Sequence, residues 1–275
     1  MNSQKLLSLL QKSLLVIIVI ASLILTINAF QGNWLSQYFD SDFLDKIKPL
    51  TGISGLIIVI IFLIEFSKSK QEETKIASAR KIIKSMENQD AEANHIETIE
   101  YLHKKNEDLS GLNAPACFLK GIQLKEANLN GANFSGANLS KANLDNTSLI
   151  KANLSGANLS QTNLVKANLS GANLSQTNLV EANLSGADLS QTNLDGARFV
   201  GANLENSNLS NTSLLRANLS GANLINADLN NAKFWNLELG GLQNITPYQI
   251  QQAKNWDKAI YSPEFREKLG LSTEN

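Results

Sequence analysis

A hydrophobic residue returns at every fifth position through most of the second half of the chain. From Leu129 to Phe234 these positions hold only Leu or Phe, which gives 22 consecutive five-residue units. The residue two places before each of them is Ala in 16 units and Thr or Ser in the other six. Because nothing larger occurs there, we interpret it as a packing position with a volume limit.

A period of five fits neither an α-helix nor a flat strand. At 3.6 residues per turn, successive leucines would wander around a helix and bury nothing together. In a short extended segment, residues two apart point the same way, so Ala132 and Phe134 face inward, Asn133 faces outward, and the next two residues turn a corner. Each unit is then one side of a coil, and stacked coils about 4.8 Å apart bury a continuous core.

Units such as A-N-L-S-G, A-D-L-S-Q and A-R-F-V-G resemble the pentapeptide-repeat family. The resemblance is strict over about 110 residues and extends in weaker form to Leu109 and Leu239. It implies a β-solenoid, a right-handed quadrilateral parallel β-helix whose coils have four five-residue sides and whose Leu, Phe and small residues fill the interior. From Leu109 to Leu239 there are 27 sides, which is nearly seven coils and roughly 30 Å of length.

A second, longer repeat is superimposed on the units of five. Residues 153–167 (NLSGANLSQTNLVKA) recur almost unchanged at 168–182 and, with changes, at 183–197. Fifteen residues would suit a three-sided coil. In a four-sided coil, each 15-residue copy begins one side further round than the copy before it. The same residues then occupy different sides, which requires that all sides be sterically interchangeable. The four-sided form therefore rests on the resemblance, because the spacing does not decide it.

Two apolar stretches near the N-terminus predict a transmembrane hairpin over residues 1–66. The stretches are 14–30 and 50–66, and the second is charged only at Glu65. Each approaches the 20 or so residues needed to cross a bilayer. A cleaved signal peptide ending near Ala29 is the alternative for the first stretch, but a second apolar segment favours the hairpin.

The flanking charges predict the orientation of this hairpin. Two lysines, Lys5 and Lys12, precede the first stretch, while the connecting loop balances Lys46 and Lys48 against three aspartates. Six cationic residues follow the second stretch, namely Lys68, Lys70, Lys75, Arg80, Lys81 and Lys84. Because positive flanks stay inside, we expect an integral membrane protein with both termini and the β-helix in the cytoplasm.

Residues 67–108 are charged and contain two sets of apolar residues at helical spacing, which predict two amphipathic helices. The sets are Ile76, Ala79, Ile83 and Met86, and then Ile96, Ile99 and Leu102. Because the first coil of a solenoid exposes its ladder edge and core, a cap is required, and we assign the second helix to it. The larger inward residues Leu112, Cys117 and Ile122 would fill the coils beneath. A coiled-coil surface is the alternative, but the segment is short.

The repeat domain is expected to span residues 109–241, and residues 242–275 to form a C-terminal helical cap. Thr246-Pro247 and Ser262-Pro263 are typical helix starts, so we predict helices over 248–255 and 264–269. Aromatic and aliphatic side chains would then meet the last coil near Trp235, namely Trp256, Ile260, Tyr261 and Phe265. We interpret this cluster as core packing rather than as a ligand site.

A search for catalytic or metal chemistry finds no candidate. The histidines are His95 and His103 alone, and Cys117 is the only thiol, so no zinc site or Cys/His pair has its usual spacing. No serine has a neighbouring histidine as base, and no glycine forms a phosphate-binding motif. We therefore predict no catalytic, cofactor-binding or metal-binding residues, no cofactor and no enzymatic activity. Cys117 is best interpreted as a small buried hydrophobe.

The solenoid is electrically balanced. Between Ala127 and Phe234 there are six positive and six negative side chains. Nucleic-acid binding needs a basic stripe, and DNA mimicry against gyrase, the best-known activity implied by the family resemblance, needs a strongly acidic rod. Outward apolar residues are scattered, and only Val180 and Val200 would stack on one side in adjacent coils.

These observations lead to one functional hypothesis with two alternatives. We expect a membrane-tethered, non-enzymatic scaffold that binds an unknown, membrane-associated protein at the cytoplasmic face and contacts the bilayer through its two spans. A regulatory module of a transporter or membrane biogenesis system is the first alternative. A gyrase-protecting DNA mimic is the second and is less favoured, because the rod is neutral.

Overall fold

The computed structural model describes residues 53–85, 95–234 and 245–272. The first predicted span, residues 14–30, lies outside the described residues. The chain divides into two compact units, residues 1–77 and 78–275, and each is considered by itself.

The described part of the first unit is a single element. Helix α1 runs from Ile53 to Ser85 without interruption, and its last eight residues belong to the second unit. Its apolar N-terminal run ends where Glu65, Lys68 and Lys70 enter. Among the described helices, none is both long and apolar enough to cross a membrane. The second predicted span, residues 50–66, therefore has no support in the structure.

Residues 109–234 form a parallel solenoid with a coil of 20 residues. Backbone bridges join each residue of the Asn position to the residue 20 places later, from Asn113 with Asn133 to Ser213 with Lys233. The hydrogen bonds alternate in direction along this ladder: Leu139 N donates to Asn158 O over 2.8 Å, and Asn158 N donates to Ala137 O over 2.8 Å. Each coil thus has four five-residue sides, as the resemblance implied.

We number the sides by their central residues. Face 1 contains Leu129 and Leu149, and the same order gives face 2 (Phe134, Leu154), face 3 (Leu139, Leu159) and face 4 (Leu144, Leu164). Every central residue from Leu109 to Phe234 is at most 4% exposed. The Ala or Thr two places earlier is buried too, and Thr hydroxyls bond to backbone, as Thr162 Oγ1 does to Leu139 O over 2.9 Å. The predicted inward positions are confirmed.

The corners are tight turns with a left-handed residue. Ala137 N donates to Phe134 O over 3.0 Å, while Gly136 has φ 65°, which is the arrangement of a type II turn. All 25 corner residues between Gly111 and Asn231, one in every five, have positive φ. Fifteen of them are not glycine, so this conformation is imposed by the ladder rather than by composition.

Helix α2, His95–Lys104, covers one edge of the first coil. Its apolar side is buried through Ile99 and Leu102. Two of its polar side chains bond to the backbone of the first coil. Glu100 Oε1 accepts from Gln123 N over 2.7 Å, and His103 Nε2 donates to Lys125 O over 2.9 Å. Side chains of α2 therefore replace the hydrogen bonds that a preceding coil would supply.

The C-terminal cap is made of short pieces. They are helix α3 (Pro247–Gln251), a 3₁₀ turn (Trp256–Lys258), strand β2 (Ile260–Tyr261) and helix α4 (Pro263–Lys268). Thr246 caps α3 with a complete capping box, and Ser262 caps α4. The predicted starts are confirmed, but α3 ends at Gln251 instead of reaching Asn255.

The early end of α3 has a physical reason in the ladder. Lys254 N donates to Ala227 O over 2.7 Å, and Leu229 N donates to Lys254 O over 3.0 Å. Further on, β2 pairs in parallel with β1, Lys233–Phe234. Tyr261 stacks on Phe234 with ring centroids 5.2 Å apart. Part of the cap is thus an irregular extra coil, which helical backbone could not form.

Candidate interaction surfaces of the solenoid

The outward asparagines form ladders that belong to the structure of the rod. On face 4, Asn163 Oδ1 accepts from Val165 N, and its Nδ2 donates to Asn143 Oδ1, both over 3.3 Å. Asn203 repeats the pattern at 3.2 Å, and Asn183 Oδ1 accepts both from Ser185 N and from Asn203 Nδ2. An amide oxygen that accepts from both the backbone N–H and the next asparagine has no lone pair left for a partner. Such an asparagine side chain therefore offers a partner only N–H donors.

Serine replaces asparagine at two positions of this pattern, and the previous coil compensates for both. Ser148 stands where the ladder expects Asn, and there Asn130 Oδ1 accepts from Ile150 N over 3.0 Å and from Ser148 Oγ over 2.6 Å. At Ser213, Asp195 Oδ1 accepts from Leu215 N over 3.1 Å and from Ser213 Oγ over 2.6 Å. An Asx residue one coil earlier thus replaces the missing acceptor.

Among the residues singled out by their chemistry, Cys117 and His103 are engaged in structure. Cys117 is 9% exposed, and burial raises the pKa of its thiol, so it stays protonated at neutral pH. His103 bonds to the first coil. Lys125 pairs with Asp145 over 3.0 Å, and this hydrogen bond is the main cause that raises the Lys125 pKa.

The surface cavities of the second unit include two of similar size among its described residues. One of about 270 Å³ lies at the N-terminal end between Arg80, Ile83, Leu102 and residues 107–113, and the ion pair of Arg80 with Glu107 crosses it. The other, of about 260 Å³, lies beside Asp195 and Gly196. In the part of the chain described here, no group of three His, Cys, Asp or Glu side chains is placed to hold a metal ion.

Among the side chains that the structure describes, exposed apolar ones are few and dispersed. The large ones among them are Phe118 (67% exposed), Tyr248 (71%), Ile225 (45%) and Ile82 (39%). Val180 and Val200 do stack, since Glu181 N donates to Val200 O, but both side chains are half-buried. Single exposed apolar residues are ordinary on protein surfaces.

A four-sided solenoid with filled interior, helical caps and amide ladders defines this molecule as a repeat protein whose surface is made of interchangeable units. Pentapeptide repeats match in eight copies over residues 108–140, 127–165, 162–199 and 197–236. The chain belongs to the pentapeptide-repeat family.

Comparison with solved structures finds similar chains, among them two pentapeptide-repeat proteins of cyanobacteria. The pentapeptide-repeat protein Rfr23 of the cyanobacterium Cyanothece 51142 is 32% identical over 40% of this chain and 87% of its own, with a TM-score of 0.31. HetL of Nostoc sp. PCC 7120, a pentapeptide-repeat protein involved in heterocyst differentiation regulation, is 30% identical over 57% and 71%, with a TM-score of 0.26. QnrB1, a plasmid-mediated fluoroquinolone resistance protein, is 14% identical over 60% and 91%, with a TM-score of 0.29. No curated protein sequence matches this chain.

Proposed function

We propose that this protein is a non-catalytic scaffold whose solenoid binds a protein partner through one of its faces. The observation that carries the proposal is that the apolar side chains of the repeat are used in the interior while the outward asparagines are used in ladders. Every central side chain is buried, and asparagines of successive coils are hydrogen-bonded to one another. A rod of this kind offers extended surfaces for recognition.

The charge distribution supports a protein partner over nucleic acid. Six positive and six negative side chains occur between Ala127 and Phe234, so the rod has neither the basic stripe that binds phosphates nor the acidic surface that imitates them. The DNA-mimic alternative is therefore the less favoured one. It predicts inhibition of gyrase supercoiling by the purified protein, which a direct assay would detect.

Placement at a membrane is the second part of the proposal. Its support is the sequence: the apolar stretches 14–30 and 50–66, flanked by lysines and arginines. Only about forty residues separate the second stretch from the solenoid, so such a tether would keep the rod near the bilayer and raise its effective concentration toward membrane partners. The regulatory module of a transporter or membrane biogenesis system is one form that such a scaffold could take.

A photo-crosslinking residue placed on each face tests the scaffold. The four positions follow the central residue of their side and are partly exposed: Ser170, Ser155, Ser160 and Ser185 for faces 1 to 4. We expect one face to give a single discrete adduct with another protein in cells. Replacing the outward residue one coil away on that face by Arg should abolish it, and the same change on the opposite face should not. Equal adducts from all four faces, or none, would contradict the proposal.

Cysteine labelling tests the membrane placement independently. In a variant without Cys117, a cysteine at Ser36 should react with a membrane-impermeant reagent outside intact cells, and one at Ser210 should react only after lysis. Reversed labelling would refute the cytoplasmic position of the solenoid. A mature protein that lacks residues 1–29 would favour the signal peptide.

A further inference from the structure

Two of the four edges of the solenoid carry charges of both signs, and both border face 4. The edge between faces 3 and 4 presents Lys141, Gln161 and Glu181 in three successive coils, all exposed. They form a true column, because Gln161 Nε2 donates to Glu181 Oε2 over 2.7 Å. The spacing of coils puts the lysine and the glutamate about 10 Å apart, with the neutral glutamine between them.

This column is complementary to itself when reversed. If a second copy lies antiparallel, with the two-fold axis at Gln161, each Lys141 meets Glu181 of the other copy and the glutamines meet each other. Such self-complementarity is the requirement for an isologous contact. The two edges that do not border face 4 lack it: the edge between faces 1 and 2 carries Lys151 with no acidic residue, and the edge between faces 2 and 3 carries Arg216 with none.

The outward positions of face 4 agree with the same axis. After the central residues, successive coils present Lys125, Asp145, Val165, Ser185 and Glu205. An axis through the coil of Gln161 and Val165 places Lys125 opposite Glu205 of the second copy and joins the two valines. On face 4 and its two edges, Lys166 is the one charged residue that would lie opposite the same residue of the second copy.

We propose that face 4, from Lys125 to Glu205, is a surface for antiparallel side-by-side association with a second copy of this chain. The contact would be about 20 Å long and about 10 Å wide, much less than a stable interface requires, so it forms and dissociates readily. Ion pairs at exposed positions are weak and screened by salt. Charge supplies the direction and register of the contact rather than a high affinity.

Three glutamines in matched surroundings allow a controlled test in the full chain. Gln161, Gln176 and Gln191 all follow Leu-Ser and precede Thr-Asn-Leu, and all three are left-handed corner residues, but they lie on three different edges. In a Cys117→Ala background, Gln161→Cys should form an intermolecular disulfide under mild oxidation, while Gln176→Cys and Gln191→Cys should not. Equal cross-linking at the three sites would mean random collision and would overturn the proposal.

Charge exchange tests the register. Adding Lys141→Glu to the Gln161→Cys protein should lower the cross-linked fraction about tenfold, and Lys141→Glu with Glu181→Lys should restore it, because the reversed column is again complementary to itself. Lys151→Glu, the same change on another edge, should have no effect. Lys166→Ser should increase cross-linking by removing the like-charge contact. Failure of the double exchange to restore the disulfide, or loss on Lys151→Glu, would refute the antiparallel register.

Discussion

At the scale of single residues, the corner position explains why glycine is common in the repeat without being required. Lysine, glutamine, glutamate, arginine and asparagine all occupy it with φ near 55–60°. The left-handed region costs a non-glycine residue roughly 1–2 kcal/mol. Each such corner is therefore held in place by the hydrogen bonds of the ladder on either side of it.

Replacing a strained corner with glycine should stabilise the protein. We expect Gln191→Gly, at φ 58°, to raise the free energy of unfolding by roughly 0.5–1 kcal/mol, because strain is removed while some unfolded-chain entropy is gained. The neighbouring Ser190→Gly should instead lower it by a similar amount, since Ser190 has no positive φ. Chemical denaturation of both variants measures the difference, and a destabilised Gln191→Gly protein would contradict the account.

The compensated serines give a second prediction at this scale. Asn130→Ala should cost about 1–2 kcal/mol, because Ile150 N–H loses its acceptor. Adding Ser148→Asn should recover most of that loss, since an asparagine at 148 can accept from Ile150 N as its counterparts do elsewhere. A double-mutant cycle on the four proteins measures the coupling, and strictly additive effects would exclude the substitution of one acceptor for the other.

At the scale of elements, both caps continue the hydrogen-bond ladder of the solenoid, but they use different chemical groups to do so. Helix α2 uses the side chain of Glu100 as acceptor and that of His103 as donor, whereas the C-terminal cap uses backbone, with Lys254 and β2 paired to the last full coil. Tyr261 then takes the place of the next inward residue, and its hydroxyl donates to Trp256 O over 2.7 Å. The cap therefore closes both the ladder and the core.

The buried tyrosine makes the C-terminal cap sensitive to alkaline pH. Burial raises the pKa of Tyr261 well above its ordinary value. A hydroxyl that keeps its proton longer in the folded than in the unfolded state stabilises less as pH rises above the unfolded pKa, about 10. We expect the thermal midpoint to fall above pH 10, and Tyr261→Phe to lose the part of this dependence that Tyr261 causes. An identical pH profile for the variant would exclude Tyr261 as a source.

The elements also show which parts of the fold were predictable from sequence. The strict period of Leu129 to Phe234 predicted the inward positions, because burial acts on each unit in the same way. The extra coil was not predictable, since Lys254 and Tyr261 lie outside the repeat and pair only in three dimensions. The compensation of Ser148 by Asn130 was missed for the same reason: the two residues are 18 apart and meet only once the coil length is known. The 20-residue coil itself came from the family resemblance.

At the scale of the whole molecule, stability is a sum over neighbouring coils, so a defect in the middle should be felt in both directions. Leu174→Lys should cost several kcal/mol, because it buries an unpaired charge at a position with 0% exposure. Ser175→Lys, one residue further and partly exposed, should be nearly silent. The thermal midpoints of both variants test the assignment of inside and outside, and equal shifts would contradict it.

The coil of 20 residues also determines on which face of the solenoid each outward residue lies. A duplication or loss of five, ten or fifteen residues would keep every inward position filled, so the rod would still fold, but every residue beyond it would move to a different face. Loss of residues 153–167, one copy of the longer repeat, would carry Glu181 to the edge between faces 4 and 1 and leave Lys141 behind. Only changes in multiples of twenty preserve the surface. Length variants of this protein should therefore separate into those that merely fold and those that still recognise what the parent recognises.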